Sequence, residues 1–130
     1  MVPTKVLAKT VKNLPEVTIL NLVNAEIAKI SVNAYVTMKI SFANQLSEIC
    51  QALPFGDADE VLSAIAKDSR IGAKYLHSAP AFGGPCFPRD NRAFSKLASD
   101  LGIDATLSKG TDQINLRQVD RLIEQIKELS

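Results

Sequence analysis

From Val23 to Leu53 the sequence contains neither glycine nor proline, the two residues that most often interrupt a helix. Apolar residues recur at helical spacing at Ile27, Ile30, Ala34, Met38 and Ile49, while Val32, Tyr35, Val36, Ile40, Phe42 and Leu46 occupy other faces. The reading is one helix of about thirty residues, a rod of roughly 45 Å at 1.5 Å per residue. A chain of 130 residues cannot cover such a rod alone. A helix apolar nearly all round is normally a central one, so the expectation is a homodimer formed along it.

The rest of the chain reads as shorter helices around that rod. Residues 1–22 form a lead-in, with a modest helical pattern (Val6, Leu7, Val11, Leu14), Pro15 as a breaker and the β-branched run Val17-Thr18-Ile19. Lys5, Lys9 and Lys12 give it a solvated face. The domain proper is 23–130. Pro54-Phe55-Gly56 ends the long helix, and Asp57 with Glu60 has capping-box spacing for a second helix carrying Val61, Leu62 and Ile65. A third is expected from Asp90 as N-cap to Leu101, stopped by Gly102. After a linker containing Gly110, a fourth begins at Asp112, with Ile114, Val119, Leu122, Ile123, Ile126 and Leu129 on its stripe. No alternating run points to a sheet, and aromatics are only 5% with no tryptophan. The fold class is all-α, a long central helix with shorter helices packed on it.

A formal net charge of +1 gives no electrostatic case for nucleic acid or an acidic membrane. Neither a bilayer-spanning run nor a signal peptide is visible, so the expected location is cytoplasmic. Cys50, in an apolar helical stretch, and Cys86, in a loop, then read as free thiols. The single histidine, His77, has no partners at ligand spacing, so no metal site is expected and a Cys-His hydrolase has no obvious base.

Chemistry concentrates in Ala81-Phe82-Gly83-Gly84-Pro85-Cys86-Phe87-Pro88-Arg89-Asp90. Glycines permit close backbone approach, prolines stiffen the loop, and a nearby helix start favours the thiolate, the form that attacks carbonyls. On the long helix Lys29 and Asn33 are four residues apart and share a face, an amine and an amide suited to an oxyanion. Each residue also has an ordinary role: Cys86 as a small buried hydrophobe, Asp90 as a cap, Lys29 and Asn33 as a solvated face. Cys50 reads as a core thiol.

Three segments, Ala25-Glu26-Ile27-Ala28-Lys29-Ile30-Ser31-Val32-Asn33-Ala34-Tyr35, Asp68-Ser69-Arg70-Ile71-Gly72 and Phe82–Asp90, in this order and spacing, resemble the UDP-glucose/GDP-mannose dehydrogenases. The resemblance runs from about Val23 to the end of the chain. It implies the family's central helical dimerisation domain, similar to the C-terminal domain of 6-phosphogluconate dehydrogenases. It also implies a two-step oxidation of a nucleotide sugar's C6 alcohol to a carboxylate, with NAD as acceptor and a thiohemiacetal and thioester on cysteine. By resemblance Cys86 is the nucleophile, Lys29 and Asn33 stabilise the oxyanions, and Asp90 works with the lysine and the hydrolytic water. Arg70 matches an arginine that reaches a neighbouring subunit's substrate, and Tyr75, Leu76 and Gly83 lie where the family loop holds the nucleotide sugar. His77 and Pro85 replace a lysine and a serine found in relatives. No strand with a Gly-rich turn occurs, so NAD is expected on a domain this sequence lacks. UDP-glucose is the leading substrate, ahead of GDP-mannose and UDP-N-acetylmannosamine. The competing class is a non-catalytic helical dimerisation module, and the 130 residues by themselves are expected to show no turnover.

Overall fold

The computed structural model describes residues 6, 8–12 and 16–128. Leu7, Leu14, Pro15 and Lys5 of the expected lead-in, and Leu129 of the last stripe, lie outside the described residues. From Leu22 onward the chain forms α1 (Leu22–Gln51), α2 (Ala58–Ile65), α3 (Phe87–Asp100) and α4 (Thr106–Glu128). No strand occurs among the described residues, so the fold is all-α. No helix among them is long and apolar enough to cross a membrane.

The central helix α1 starts where the Asn21 side chain accepts a hydrogen bond from the Asn24 N–H at 2.8 Å, satisfying one otherwise unpaired donor. It ends at the Pro54-Phe55-Gly56 turn. Gly56 is required there because an added Cβ would sit 2.2 Å from the Cys50 carbonyl oxygen. Asp57 then caps α2, accepting from the N–H groups of Asp59 and Glu60 at 2.8 and 3.0 Å.

The expected start of α3 is corrected. Its first residue is Phe87, with Cys86 at the N-cap, and Asp90 lies inside the first turn rather than capping it. Pro88 belongs to that turn, where its missing N–H costs no intrahelical bond. The far end follows expectation: Gly102, at φ +72, lets the Ile103 N–H reach the Ala98 carbonyl at 2.8 Å and closes the helix. The start of α4 is also corrected, from Asp112 to Thr106, with Gly110 inside the helix. An interior glycine costs about 1 kcal/mol relative to alanine, which the packing of the remaining helix outweighs.

Helix α1 packs against α2, α3 and α4. Its buried face is small and partly polar: Thr37, Ile40, Ser41, Ala43, Asn44 and Cys50. Such side chains allow close approach, provided their polar atoms are paired. Ser41 Oγ donates to the Thr111 carbonyl at 3.0 Å, and Asn91 Nδ2 on α3 donates to the Ser108 carbonyl at 3.0 Å. The apolar core proper, Ala43, Leu62 and Leu76 with Leu46 and Ile65 against it, is small. Several of the apolar residues that mark α1 in sequence are left exposed by this chain. Val32, Tyr35, Phe42 and Ile49 are 62, 57, 51 and 51% exposed.

Candidate active site

The chemistry-bearing residues meet where the first third of α1 crosses the start of α3. Asp90 is the joint. Its side chain is buried, and its Oδ2 accepts from Lys29 Nζ at 2.5 Å and from Asn33 Nδ2 at 2.6 Å. Its Oδ1 accepts from Arg89 Nε at 2.9 Å, and Arg89 Nη2 stands 2.9 Å from the same oxygen as an ion pair. The four-residue spacing of Lys29 and Asn33 puts both donors over one carboxylate oxygen. The structure thus joins two stretches separated by about sixty residues of sequence.

Lys29 comes first among the causes that hold the Asp90 carboxyl low, from its usual 3.8 to about 2, followed by Asn33. Burial opposes them by disfavouring the charge, and Arg89 adds to the lowering. The carboxylate is consequently charged throughout the neutral range, and two cations around one anion leave the cluster net positive. Because the folded value lies below the unfolded one, the stability Asp90 contributes is fully present above about pH 4 and disappears as pH falls towards 2. Urea unfolding midpoints should fall between about pH 5 and about pH 2. Asp90→Asn should lose part of that fall; an identical pH dependence in the variant would refute the assignment.

Cys86 stands one helical turn before Asp90, whose N–H donates to the Cys86 carbonyl at 2.9 Å. Its side chain is exposed and unpaired in a disulfide, whereas Cys50 is buried in the core. Arg89 is held in its charged form mainly by its hydrogen bond to Asp90. A thiol at a helix start, with Arg89 three residues on, lies close to positive charge. Lys29 carries two further N–H donors and Asn33 one beyond those given to Asp90.

The remaining sequence candidates divide. Tyr75 adopts φ +60, uncommon for a non-glycine residue, and its ring meets the edge of Phe87 at 6.4 Å. Phe82 meets Phe87 in the same edge-to-face manner at 6.4 Å. Phe87, the residue after the cysteine, therefore seats the loop between two rings. Gly83 is exposed with no heavy atom near an added Cβ. The Leu76 side chain is buried in the core with Ala43 and Leu62. Arg70 stands apart from Asp90: its side chain is exposed, paired to Asp68 at 2.6 Å, at the rim of an apolar groove between α1 and α4 lined by Tyr35, Phe42 and Leu107. His77 is exposed.

Three contributors were given no role in the sequence reading. Arg89 could have been inferred from adjacency to Asp90, and Phe87 from adjacency to Cys86. Asn115, on α4, carried no signal: it reaches the main chain of Phe82 from 33 residues away.

Residues 23–117 match the model of the UDP-glucose/GDP-mannose dehydrogenase family, central domain. The chain belongs to this family. It is 35% identical over 105 residues to a UDP-glucose 6-dehydrogenase of Pseudomonas aeruginosa, covering 81% of this chain and 23% of that protein. It is 36% identical over 107 residues to one of Bacillus subtilis, covering 79% and 23%. Its backbone is similar to the solved UDP-glucose dehydrogenase of Pyrobaculum islandicum, with a TM-score of 0.77, 32% identity and coverage of 85% of this chain and 25% of that one. The chain spans about a quarter of the length of these relatives. What it shares with the UDP-glucose/GDP-mannose dehydrogenases is their central domain, and α3, Cys86, Lys29, Asn33, Asp90 and all of α1 after Leu22 lie within the matched residues.

Proposed function

We propose that this chain is the central, cysteine-bearing domain of a nucleotide-sugar 6-dehydrogenase acting on UDP-glucose. The observation that carries the proposal is the convergence of Lys29 and Asn33 from α1 on Asp90, one turn beyond the exposed Cys86 at the start of α3. In this reading the Cys86 sulfur adds to the C6 carbonyl carbon of the intermediate aldehyde. The carbon–sulfur bond forms as the carbonyl electron pair moves onto oxygen, and the remaining donors of Lys29 and Asn33 stabilise that oxyanion. Asp90 keeps both donors aimed. Tyr75 and Gly83, with the backbone of Leu76, border the approach of the nucleotide sugar, and Arg70 serves a neighbouring subunit.

In this reading the acceptor, NAD, is bound by a separate dinucleotide-binding domain. Gly83 and Gly84 lead into a helix, but no strand feeds them, so the βαβ unit that cradles a dinucleotide pyrophosphate is missing. Hydride removal therefore falls to domains beyond these residues. The test is to supply the assembled enzyme, with its dinucleotide-binding and nucleotide-binding domains, with UDP-glucose, GDP-mannose and UDP-N-acetylmannosamine in turn. The highest kcat/KM is expected for UDP-glucose; failure to oxidise any of the three would remove the proposal.

The exposed residues Val32, Tyr35, Phe42 and Ile49 recur along α1 at spacings of three and seven, one apolar seam. A groove of about 620 Å³ beside it, between α1 and α4, is lined chiefly by apolar atoms. Both features support a homodimer through α1, since a monomer rarely leaves a contiguous apolar face of that length in water. Sedimentation at micromolar concentration should give a dimer, and Phe42→Glu should shift it to monomer. A wild-type protein that sediments as a monomer would contradict the dimer.

A further inference from the structure

The segment that leads into Cys86 has almost nothing to hold it by its side chains. Gly83, Gly84, Pro85 and Cys86 are all exposed, and a Cβ added to either glycine would meet no heavy atom. Gly84 has φ +76, so the chain turns there in a conformation that glycine adopts at little cost. The path of these residues must then be set at its two ends. The downstream end is Phe87, fixed as the first residue of α3.

The upstream end is fixed by two amides. Asn44 Oδ1 on α1 accepts from the Ala79 N–H at 2.8 Å. Asn115 on α4 binds Phe82 twice, its Oδ1 accepting from the Phe82 N–H at 2.7 Å and its Nδ2 donating to the Phe82 carbonyl at 3.0 Å. A paired main-chain contact of this kind fixes both position and direction of the peptide, as a strand partner would. Asn115 is itself held in register, because its neighbours on the same face of α4 are tied to α1. The Thr111 carbonyl accepts from Ser41 Oγ, Gln118 Nε2 donates to Glu48, and Arg121 Nη2 donates to Gln51 Oε1 at 2.5 Å. Phe82 is buried as well, so water competes weakly for these bonds.

We infer that Asn115 is a positioning residue for Cys86: its amide clamp on Phe82 sets where the Gly83–Cys86 loop presents the sulfur. The inference rests on Cys86 being the nucleophile, and it extends the site to α4, which contributes no group to the reaction itself. Asn115→Ala removes both bonds. Asn115→Asp retains the acceptor for the Phe82 N–H and loses the donor to its carbonyl.

In the assembled enzyme, Asn115→Ala should raise amide hydrogen exchange across residues 82–86 by about tenfold or more. It should also change the iodoacetamide alkylation rate of Cys86 severalfold, and lower kcat for acid formation by about tenfold with KM for UDP-glucose within about twofold. Asn115→Asp should fall between Asn115→Ala and wild type on each measure. Cys50 alkylation reports global opening: if Asn115→Ala exposes Cys50, the Asn115→Asp variant is judged by the same three measures. Exchange and Cys86 alkylation within twofold of wild type would overturn the inference, as would a loosened loop with unchanged kcat. Exchange and alkylation need no substrate, so an enzyme that oxidises no nucleotide sugar would refute the proposed function while leaving the clamp judged by those two measurements.

Discussion

Cys86→Ser in the assembled enzyme is expected to cut formation of the sugar acid by about a thousandfold or more, with the fold intact. The side chain of Cys86 is exposed, and its place at the start of α3 suits serine, a favourable N-cap residue. Chemistry is therefore the only thing the substitution removes. A serine hydroxyl is a far weaker nucleophile than sulfur without a base beside it, and the lone histidine is not part of the cluster. Far-ultraviolet circular dichroism should overlay wild type while product analysis shows no acid. Acid formation at an undiminished rate would favour the dimerisation-module reading, in which the motifs persist without catalysis.

The second large effect is expected at Asp90. Asp90→Ala leaves Lys29, Asn33 and Arg89 facing a buried space with no common acceptor, so the variant should lose both activity and stability. Activity should fall by about a hundredfold or more, the scale on which aimed donors contribute to charge stabilisation. The melting temperature should fall with it, because α1 and α3 are cross-linked here by two hydrogen bonds at their crossing. Asp90→Asn separates the two roles: it can still accept one bond from the amide of Asn33 but no longer balances the lysine charge. Its melting temperature should lie between those of wild type and alanine. An Asp90→Ala protein with wild-type kcat would show that Lys29 and Asn33 are positioned by something else.

The sequence made α1 plain because a run free of glycine and proline leaves helix as the simplest outcome, and the boundaries at Leu22 and Gln51 differ from expectation by one and two residues. Where the reading erred, a local rule was outweighed by its context. Asp90 looks like a cap, but Pro88 and Phe87 already satisfy the first turn, so the helix starts at the cysteine and frees the aspartate to face α1. Gly110 looks like a linker, yet α4 continues through it, carried by contacts that Ser108 and Thr111 make with α3 and α1. The site was legible as three motifs in register, while their meeting was not, because a contact between Lys29 and Asp90 leaves no periodicity behind. Asn44 and Asn115 were invisible for the same reason: each is an isolated amide in a helix, and its partner is a main-chain group more than thirty residues away. The buried face of α1 was hidden too, since Thr37, Ser41 and Asn44 read as polar.

The claim that binds these observations is that substrate carbon becomes covalently attached to Cys86. Its most direct test is peptide mass mapping of the assembled enzyme, quenched in acid within the first turnovers of UDP-glucose. The predicted result is the peptide containing Cys86 carrying the mass of UDP-glucuronate less one water, a thioester, with the Cys50 peptide unmodified. The same adduct on another residue, or acid released with the Cys86 peptide unmodified throughout those turnovers, would contradict the account.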